Sequence, residues 1–173
     1  MALVVEEYRI SKYSPNLRSD DGVFHGDDWT SISDIGGEFA GRLLTPELYM
    51  ASEDSYVRAI VTLVVKAADD VFSVEGLESY DDGLLTSLPR SARALTKLSP
   101  SLSEREQISG ERLLATIRAN LRDLVWCRLE HSDGRFVHFG QELYVYIRTP
   151  QLPDLSVLPS GIYVEPCDSP IGK

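Results

Sequence analysis

Two β-prone segments on either side of a tight turn constrain the fold more than any other feature. Residues Val125 to His131 and Phe136 to Ile147 are rich in β-branched and aromatic side chains, which pack well on a pleated surface. Between them, Ser132-Asp133-Gly134-Arg135 carries the Asp-Gly pair of a hairpin turn, because glycine accepts the left-handed backbone conformation. The sequence therefore predicts an antiparallel hairpin. Alternating aromatic and aliphatic residues in the second arm predict that both of its faces are covered.

Helix signals occur at two places. Thr45-Pro46-Glu47 combines a hydroxyl at the cap, a proline in the first turn and an acid at the positive end of the helix dipole. Apolar residues then recur every three or four positions, so we expect a helix from Pro46 to about Ala68. Ser103 and Glu106 match a capping box, and an apolar stripe follows them. This pattern predicts a second helix from Ser103 to Arg122.

Short apolar runs predict the remaining strands: Leu3 to Ile10, Val71 to Leu77, and an edge strand at Gly161 to Glu165. From about Thr149 the chain is rich in proline, and we expect this tail to wrap the domain. Together these elements predict a single α+β domain over residues 1–173. We expect an antiparallel sheet of about four or five strands with two main helices packed on it.

Charge and hydropathy exclude several classes of protein. The formal net charge is −10 over 173 residues, so the phosphate backbone of a nucleic acid would be repelled. The longest apolar stretch is far shorter than the roughly 20 residues that cross a bilayer, and the first residues do not resemble a secretory signal. The two cysteines, Cys127 and Cys167, lack the spacing of a zinc site or disulfide framework. We expect a cytoplasmic protein with reduced thiols.

The acidic residues are unevenly distributed. No Lys or Arg occurs from Ala67 through Pro89, whereas Arg dominates from Arg90 to Arg128. The simplest interpretation is an ordinary solvated surface; the alternatives are a surface that attracts a basic protein partner and ion pairing between the two regions. For the second alternative, the candidate binding residues are Glu75, Glu78, Asp81 and Asp82.

The long loop between Ser11 and Gly41 contains the densest mixture of aromatic, hydroxyl and acidic residues. Loops of this length in compact domains are often functional. One hypothesis makes the segment Asp28 to Gly36 a recognition loop, with Trp29 as anchor and Ser31, Ser33 and Asp34 as polar contacts. The alternative places Trp29 in the core and uses the polar side chains to satisfy loop amides.

Catalytic and metal-binding motifs are absent from the sequence. It contains no serine nucleophile elbow, phosphate-binding loop or dinucleotide fingerprint. His25, Asp27 and Asp28 could supply metal ligands from one loop, but loop aspartates more often close turns. The three histidines, with His131 and His138 completing the set, match no zinc spacing. We therefore expect neither metal nor cofactor, and an enzyme is the less favoured interpretation.

Several stretches resemble a family of uncharacterised bacterial proteins. The matching segments are Ser11 to Pro15, Asp28 to Gly36, Glu53 to Tyr56, Leu124 to Glu130 and Gly161 to Pro170. The resemblance implies a bacterial, cytoplasmic, single-domain protein and implies no activity. The chain departs from the family's aromatic pattern near Gln141-Glu142-Leu143.

Acidity, small size and missing catalytic motifs favour a non-enzymatic protein-binding module. Charge complementarity accelerates association with a basic partner and excludes wrong partners. An immunity protein that masks a basic toxin would have these properties. The alternative is a small-molecule-binding or enzymatic domain that uses the Asp28 to Gly36 loop. Nothing in the sequence indicates the oligomeric state.

Overall fold

A computed structural model describes residues 6–79, 86, 88–97 and 99–171. The chain folds into a mixed architecture of helices packed on a large antiparallel sheet. In chain order the elements are β1 (Glu6–Ser11), β2 (Glu38–Phe39), β3 (Arg42–Leu43), α1 (Pro46–Val64), β4 (Phe72–Ser79), β5 (Gln107–Ile108), α2 (Gly110–Leu121), β6 (Val125–His131), β7 (Phe136–Phe139), β8 (Val145–Thr149) and β9 (Tyr163–Pro166). Strands β2 and β3 form a separate two-stranded ribbon.

The large sheet has seven strands in the order β5-β4-β6-β7-β8-β1-β9, and every neighbouring pair is antiparallel. The predicted mixture of helices with an antiparallel sheet is confirmed. The expected four or five strands were too few. The two-residue β5 extends one edge, and β1 lies between β8 and β9, so the tail strand adds to the other edge.

The predicted hairpin is confirmed at β6 and β7, where Arg128 lies opposite His138 and Leu129 opposite Val137. The prediction of one long second arm was wrong. After β7 the chain turns and returns as β8, because Glu142 and Leu143 both take left-handed conformations with φ of 56° and 60°. Such angles break a strand, and non-glycine residues adopt them at a cost.

Helix α1 begins at Pro46 as predicted, and the Thr45 hydroxyl accepts a hydrogen bond from the Leu48 amide at 3.3 Å. It ends at Val64 instead of near Ala68 because Val65 is extended. The Asp70 carboxylate then accepts the Lys66 amide at 2.7 Å, which closes the turn into β4.

Helix α2 begins at Gly110, so the predicted start at Ser103 was wrong. The Ser103 amide does donate to Glu106 Oε2 at 2.9 Å. This contact closes a turn and not a helix, because Arg105 is left-handed with φ of 62°. Ile108 then pairs with Phe72 as part of β5, so this residue belongs to the sheet and not to the helix.

Alternate strand residues face α1 and α2 and form the main core with them. This face includes Ile10, Val74, Cys127, Leu129, Val137, Val145 and Ile147. The opposite face carries polar and aromatic residues in cross-strand rows, one of which runs Glu75, Arg128, His138, Tyr146, Arg9, Glu165. Among the described residues, no helix combines the length and apolar character that a bilayer crossing requires.

The proline-rich tail first adds β9 to the sheet and then contacts β1 again beyond that strand. The Cys167 amide donates to the Glu7 carbonyl at 3.1 Å, and the Ser169 amide donates to Glu7 Oε2 at 2.6 Å. The Ser169 Oγ atom also lies 3.0 Å from His138 Nδ1. The tail therefore covers part of the polar face.

Candidate functional site

One end of the sheet gathers the loops that carry most of the candidate residues. Ser79 at the end of β4 lies opposite Val125 at the start of β6, and Phe139 at the end of β7 lies opposite Val145 at the start of β8. The segment after β1 also leaves the sheet at this end. Two of the concave surfaces at this end are described below, since they include the candidate residues Trp29 and Glu78.

The first surface, the Trp29 cavity, has a volume of about 530 Å³. Its wall is mainly apolar, with Lys12, Asp27, Asp28 and Arg42 as charged members. The large apolar members are Leu17, Phe24, Trp29, Phe39, Leu43, Leu44 and Leu48. Both the size and the composition suit a small ligand or an inserted side chain.

Trp29 both packs on the core and lines this cavity. Its ring centroid lies 5.3 Å from that of Tyr49, and Lys12 Nζ lies 4.0 Å from its centre. Lys12 Nζ is also 2.6 Å from Asp28 Oδ2, with only 8% of the lysine side chain exposed. Burial lowers the pKa of Lys12, and the Asp28 carboxylate partly opposes this shift. The two sequence hypotheses for Trp29, core residue and anchor, are therefore compatible.

The other predicted members of the recognition loop form contacts within the loop. The Asp34 carboxylate accepts the amides of Thr30 at 2.7 Å and Ser31 at 3.1 Å. Ser31 Oγ accepts the Ser33 amide at 3.2 Å. These contacts hold a single 3-10 turn at residues 32–34. Ser31, Ser33 and Asp34 are not part of the cavity wall, so Trp29 alone of the four lies at a concave surface.

The second surface, the acidic aromatic groove, has a volume of about 680 Å³. Four aromatic residues and three acids line it: Trp126, Phe139, Tyr144, Tyr146, Glu78, Asp123 and Glu142. Trp126 is fixed because its indole Nε1 donates to the Phe139 carbonyl at 2.7 Å. Aromatic faces and carboxylates both attract cations.

Two of the groove's carboxylates sit on unusual backbone. Asp123 has φ of 54° and Glu142 has φ of 56°, both in the left-handed region. Burial, with a smaller contribution from the negative charge of Asp34, raises the pKa of Asp123 to about 6. Backbone strain and shifted pKa values tend to cluster at functional sites.

Tyr13 joins the two surfaces. Its hydroxyl donates to the Glu142 carbonyl at 2.7 Å and lies 3.3 Å from the Trp29 carbonyl oxygen. The ring is 2% exposed and packs 5.3 Å from that of Tyr144. The Trp29 cavity and the acidic aromatic groove therefore adjoin across one buried residue.

The predicted acidic residues are not brought together. Glu78 lines the groove, whereas Glu75 accepts a hydrogen bond from Ser73 at 2.6 Å and lies in a separate acidic hollow with Asp69 and Asp70. Asp81 and Asp82 lie outside the described residues. Asp70, from the same stretch, pairs with Arg135 at 2.6 Å, a cation 65 positions away that the local sequence does not reveal.

The loop aspartates considered as metal ligands form other contacts. Asp27 Oδ2 accepts the Ala40 amide at 2.6 Å, and Asp28 pairs with Lys12. Within the described ranges, no group of three or more His, Cys, Asp or Glu side chains is placed to hold a metal ion.

Comparisons with models of known families, with curated proteins and with solved structures found no match. The resemblance to uncharacterised bacterial proteins therefore stays a prediction.

Because Trp29 packs on two core clusters, we expect Trp29→Ala to lower the free energy of unfolding by about 2–4 kcal/mol. Leu43→Ala is the matched control, since Leu43 lines the same cavity with 55% of its surface exposed. It should cost about 0.5 kcal/mol or less. Urea denaturation measures both. Equal stability of the two variants would show that Trp29 contributes no core packing.

Proposed function

We propose that the protein is a non-enzymatic protein-binding module that captures a basic segment of a partner, as an immunity protein would mask a basic toxin. The carrying observation is the acidic aromatic groove beside the Trp29 cavity at one end of the sheet. The partner would place a basic side chain in the groove and an apolar side chain in the cavity.

The groove suits a guanidinium better than an ammonium or a neutral group. Trp126 and Tyr146 offer ring surface for stacking, whereas the Tyr144 ring is already contacted by Arg9 and Arg18. Glu78, Asp123 and Glu142 offer carboxylate oxygens. Arginine uses both kinds of contact, because its planar cation stacks on rings and donates two parallel hydrogen bonds to a carboxylate. A bound cation would also favour the ionised form of Asp123, which burial disfavours in the free protein.

The Trp29 cavity supports the apolar half of the proposal. Hot spots of protein interfaces are commonly aromatic anchors in desolvated pockets surrounded by less important contacts. The net charge of −10 would also accelerate the approach of a basic partner at low ionic strength.

Tryptophan fluorescence provides the test, because the chain has two tryptophans and each lines one of the two surfaces. The probe is acetyl-Leu-Arg-Arg amide, and the matched control replaces both arginines with the uncharged isostere citrulline. We expect the arginine peptide to change the emission of both Trp29 and Trp126, assigned with Trp29→Phe and Trp126→Phe. Binding should weaken as salt is added.

Equal binding of the arginine and citrulline peptides, or binding that salt leaves unchanged, would contradict the proposal. The chain supplies a control for nonspecific charge in Glu111→Gln, an exposed acid in the first turn of α2. Because α2 ends at Leu121, ten residues after Glu111, Glu111 lies about 15 Å from the groove end of the helix. This variant should bind like the native protein.

A second candidate function, small-molecule binding, is favoured by the volume and apolar wall of the Trp29 cavity. The dye anilinonaphthalene sulfonate is the probe. Enhanced dye fluorescence with the native protein, lost in Leu48→Arg while binding of the arginine peptide persists, would favour this function. No enhancement with the native protein would count against it.

A further inference from the structure

His138 lies in a separate cavity on the polar face of the sheet. The cavity has a volume of about 250 Å³, and its lining includes Arg128, Glu130, Phe136, Arg148 and Ser169. The histidine side chain is only 6% exposed. Its Nε2 atom is buried, and no hydrogen-bond partner for it exists among the described residues. A buried polar atom without a hydrogen-bond partner is costly, so Nε2 is a candidate contact for a molecule that enters this cavity.

The hydrogen bonds of Ser169 determine which group His138 presents. Ser169 Oγ accepts the Ile171 amide at 3.2 Å and lies 3.0 Å from His138 Nδ1. A hydroxyl has one hydrogen to donate, and the alternative acceptor, the Ile171 carbonyl, is farther away at 3.5 Å. We infer that Ser169 donates to the nearer acceptor, Nδ1, so that the neutral ring carries its proton on Nε2. Burial and the charge of Arg128 lower the pKa of His138 to about 4, which keeps the ring neutral at pH 7.

The ring is held rigidly. Phe136 stacks on His138 with centroids 3.8 Å apart and planes 11° apart. Arg148 in turn lies over the Phe136 ring, 4.7 Å from its centre, and forms an ion pair with Glu7 at 2.5 Å. Stacking on Phe136 and the contact with Ser169 therefore hold the His138 ring in the wall of the cavity.

Arg128 supplies a second donor beside it. It lies opposite His138 in the register of β6 and β7, and its side chain is 28% exposed. Arg128 forms a long ion pair of 3.4 Å with Glu130 Oε1. The same oxygen lies 3.7 Å from His138 Nε2. A carboxylate thus sits near both donors but too far for a hydrogen bond to His138.

We propose that the His138 cavity binds the carboxylate of a small organic acid, with His138 Nε2–H and Arg128 as its donors. Glu130 is 42% exposed and can swing into solvent when the ligand enters. One neutral N–H and one guanidinium match the two oxygens of a carboxylate. Because Glu7 neutralises Arg148, displacement of Glu130 leaves the single charge of Arg128, which matches a monoanion better than a dianionic phosphate.

The test is titration of the full-length protein with acetate, followed by the ¹⁵N resonances of its histidine rings. We expect acetate to shift His138 Nε2 while sodium chloride at equal ionic strength does not. Inorganic phosphate should bind about tenfold more weakly than acetate. Glu130→Gln should bind acetate more tightly, because a competing intramolecular carboxylate is removed. His25→Gln, at an exposed loop position, is the control.

His138→Phe should abolish acetate binding, but it could also release the tail that contacts His138 through Ser169. Arg128→Gln is therefore the second variant. It should leave the fold intact and weaken acetate binding by about tenfold. No shift at His138 with acetate, or an equal shift with chloride, would overturn the proposal. Weaker acetate binding in Glu130→Gln would also overturn it, because Glu130 would then be part of the binding site.

Discussion

Replacing Glu53 with alanine is expected to lower the free energy of unfolding by about 3–5 kcal/mol. The Glu53 side chain is 1% exposed and lies between α1 and α2. Its carboxylate accepts hydrogen bonds from Arg118 at 2.6 Å and from Arg122 at 2.6 and 2.8 Å. Removal of the Glu53 carboxylate leaves the Arg122 guanidinium, whose side chain is 11% exposed, as a poorly solvated cation without a counter-ion.

Asp54→Ala is the matched control for Glu53→Ala. Asp54 is the next residue on α1 and pairs with the same Arg118 at 2.7 Å, but its side chain is 56% exposed. Exposed ion pairs contribute about 0–1 kcal/mol, so the control should be nearly neutral. Urea denaturation monitored by circular dichroism gives both values. If the two variants were equally stable, the buried ion cluster would not hold the helices together.

Asp123→Asn is expected to raise the free energy of unfolding at pH 7.5 by about 2 kcal/mol. In the folded protein the pKa of Asp123 is raised to about 6, above the value of about 3.9 in an unfolded chain. Between these values the folded state keeps a proton that the unfolded state releases, so rising pH destabilises the native protein. The asparagine variant avoids this loss, and its side chain tolerates the left-handed backbone at this position.

The sign of this effect is testable by measuring stability at two pH values. The advantage of Asp123→Asn should be present at pH 7.5 and largely gone near pH 3.5, where the native carboxyl is protonated in both states. The exposed Asp69→Asn is the control and should change stability by about 0.5 kcal/mol or less. A stabilisation that is the same at both pH values would refute the ionisation argument.

Asp123 also links stability to the proposed function. An ionised carboxylate that is costly in the free protein becomes favourable when a cation binds beside it. Asp123→Asn should therefore be more stable and a weaker binder of the arginine peptide. Functional residues commonly show this opposition between stability and activity.

Local signals predicted the local parts of the fold. The Asp-Gly turn marked the hairpin, and Thr45-Pro46 marked the start of α1, because the capping and turn residues act on their own neighbours. The break between β7 and β8 was missed because Glu142 and Leu143 hold left-handed conformations without a glycine. The start of α2 was missed because Ile108 is drawn into the sheet by its pairing with Phe72.

The candidate site shows the same division. Trp29 and Glu78 could be singled out because an aromatic residue in a long loop and a run of acids are visible in the sequence. Asp123 and Glu142 could not, since only the antiparallel sheet brings their turns to the same end. One signal for Glu53 was available: Arg118 and Arg122 are four residues apart, which places both cations on one face of α2.

The most direct test of the proposed binding function is calorimetric titration of acetyl-Leu-Arg-Arg amide into the native protein and into Asp123→Asn/Glu142→Gln. Both acids line the groove, and both replacements keep the size of the side chain while removing its charge. We predict a dissociation constant about 100-fold weaker for the double variant, equivalent to about 2.7 kcal/mol, with native stability or better. Unchanged affinity in a folded double variant would contradict the assignment of the acidic aromatic groove as the binding site.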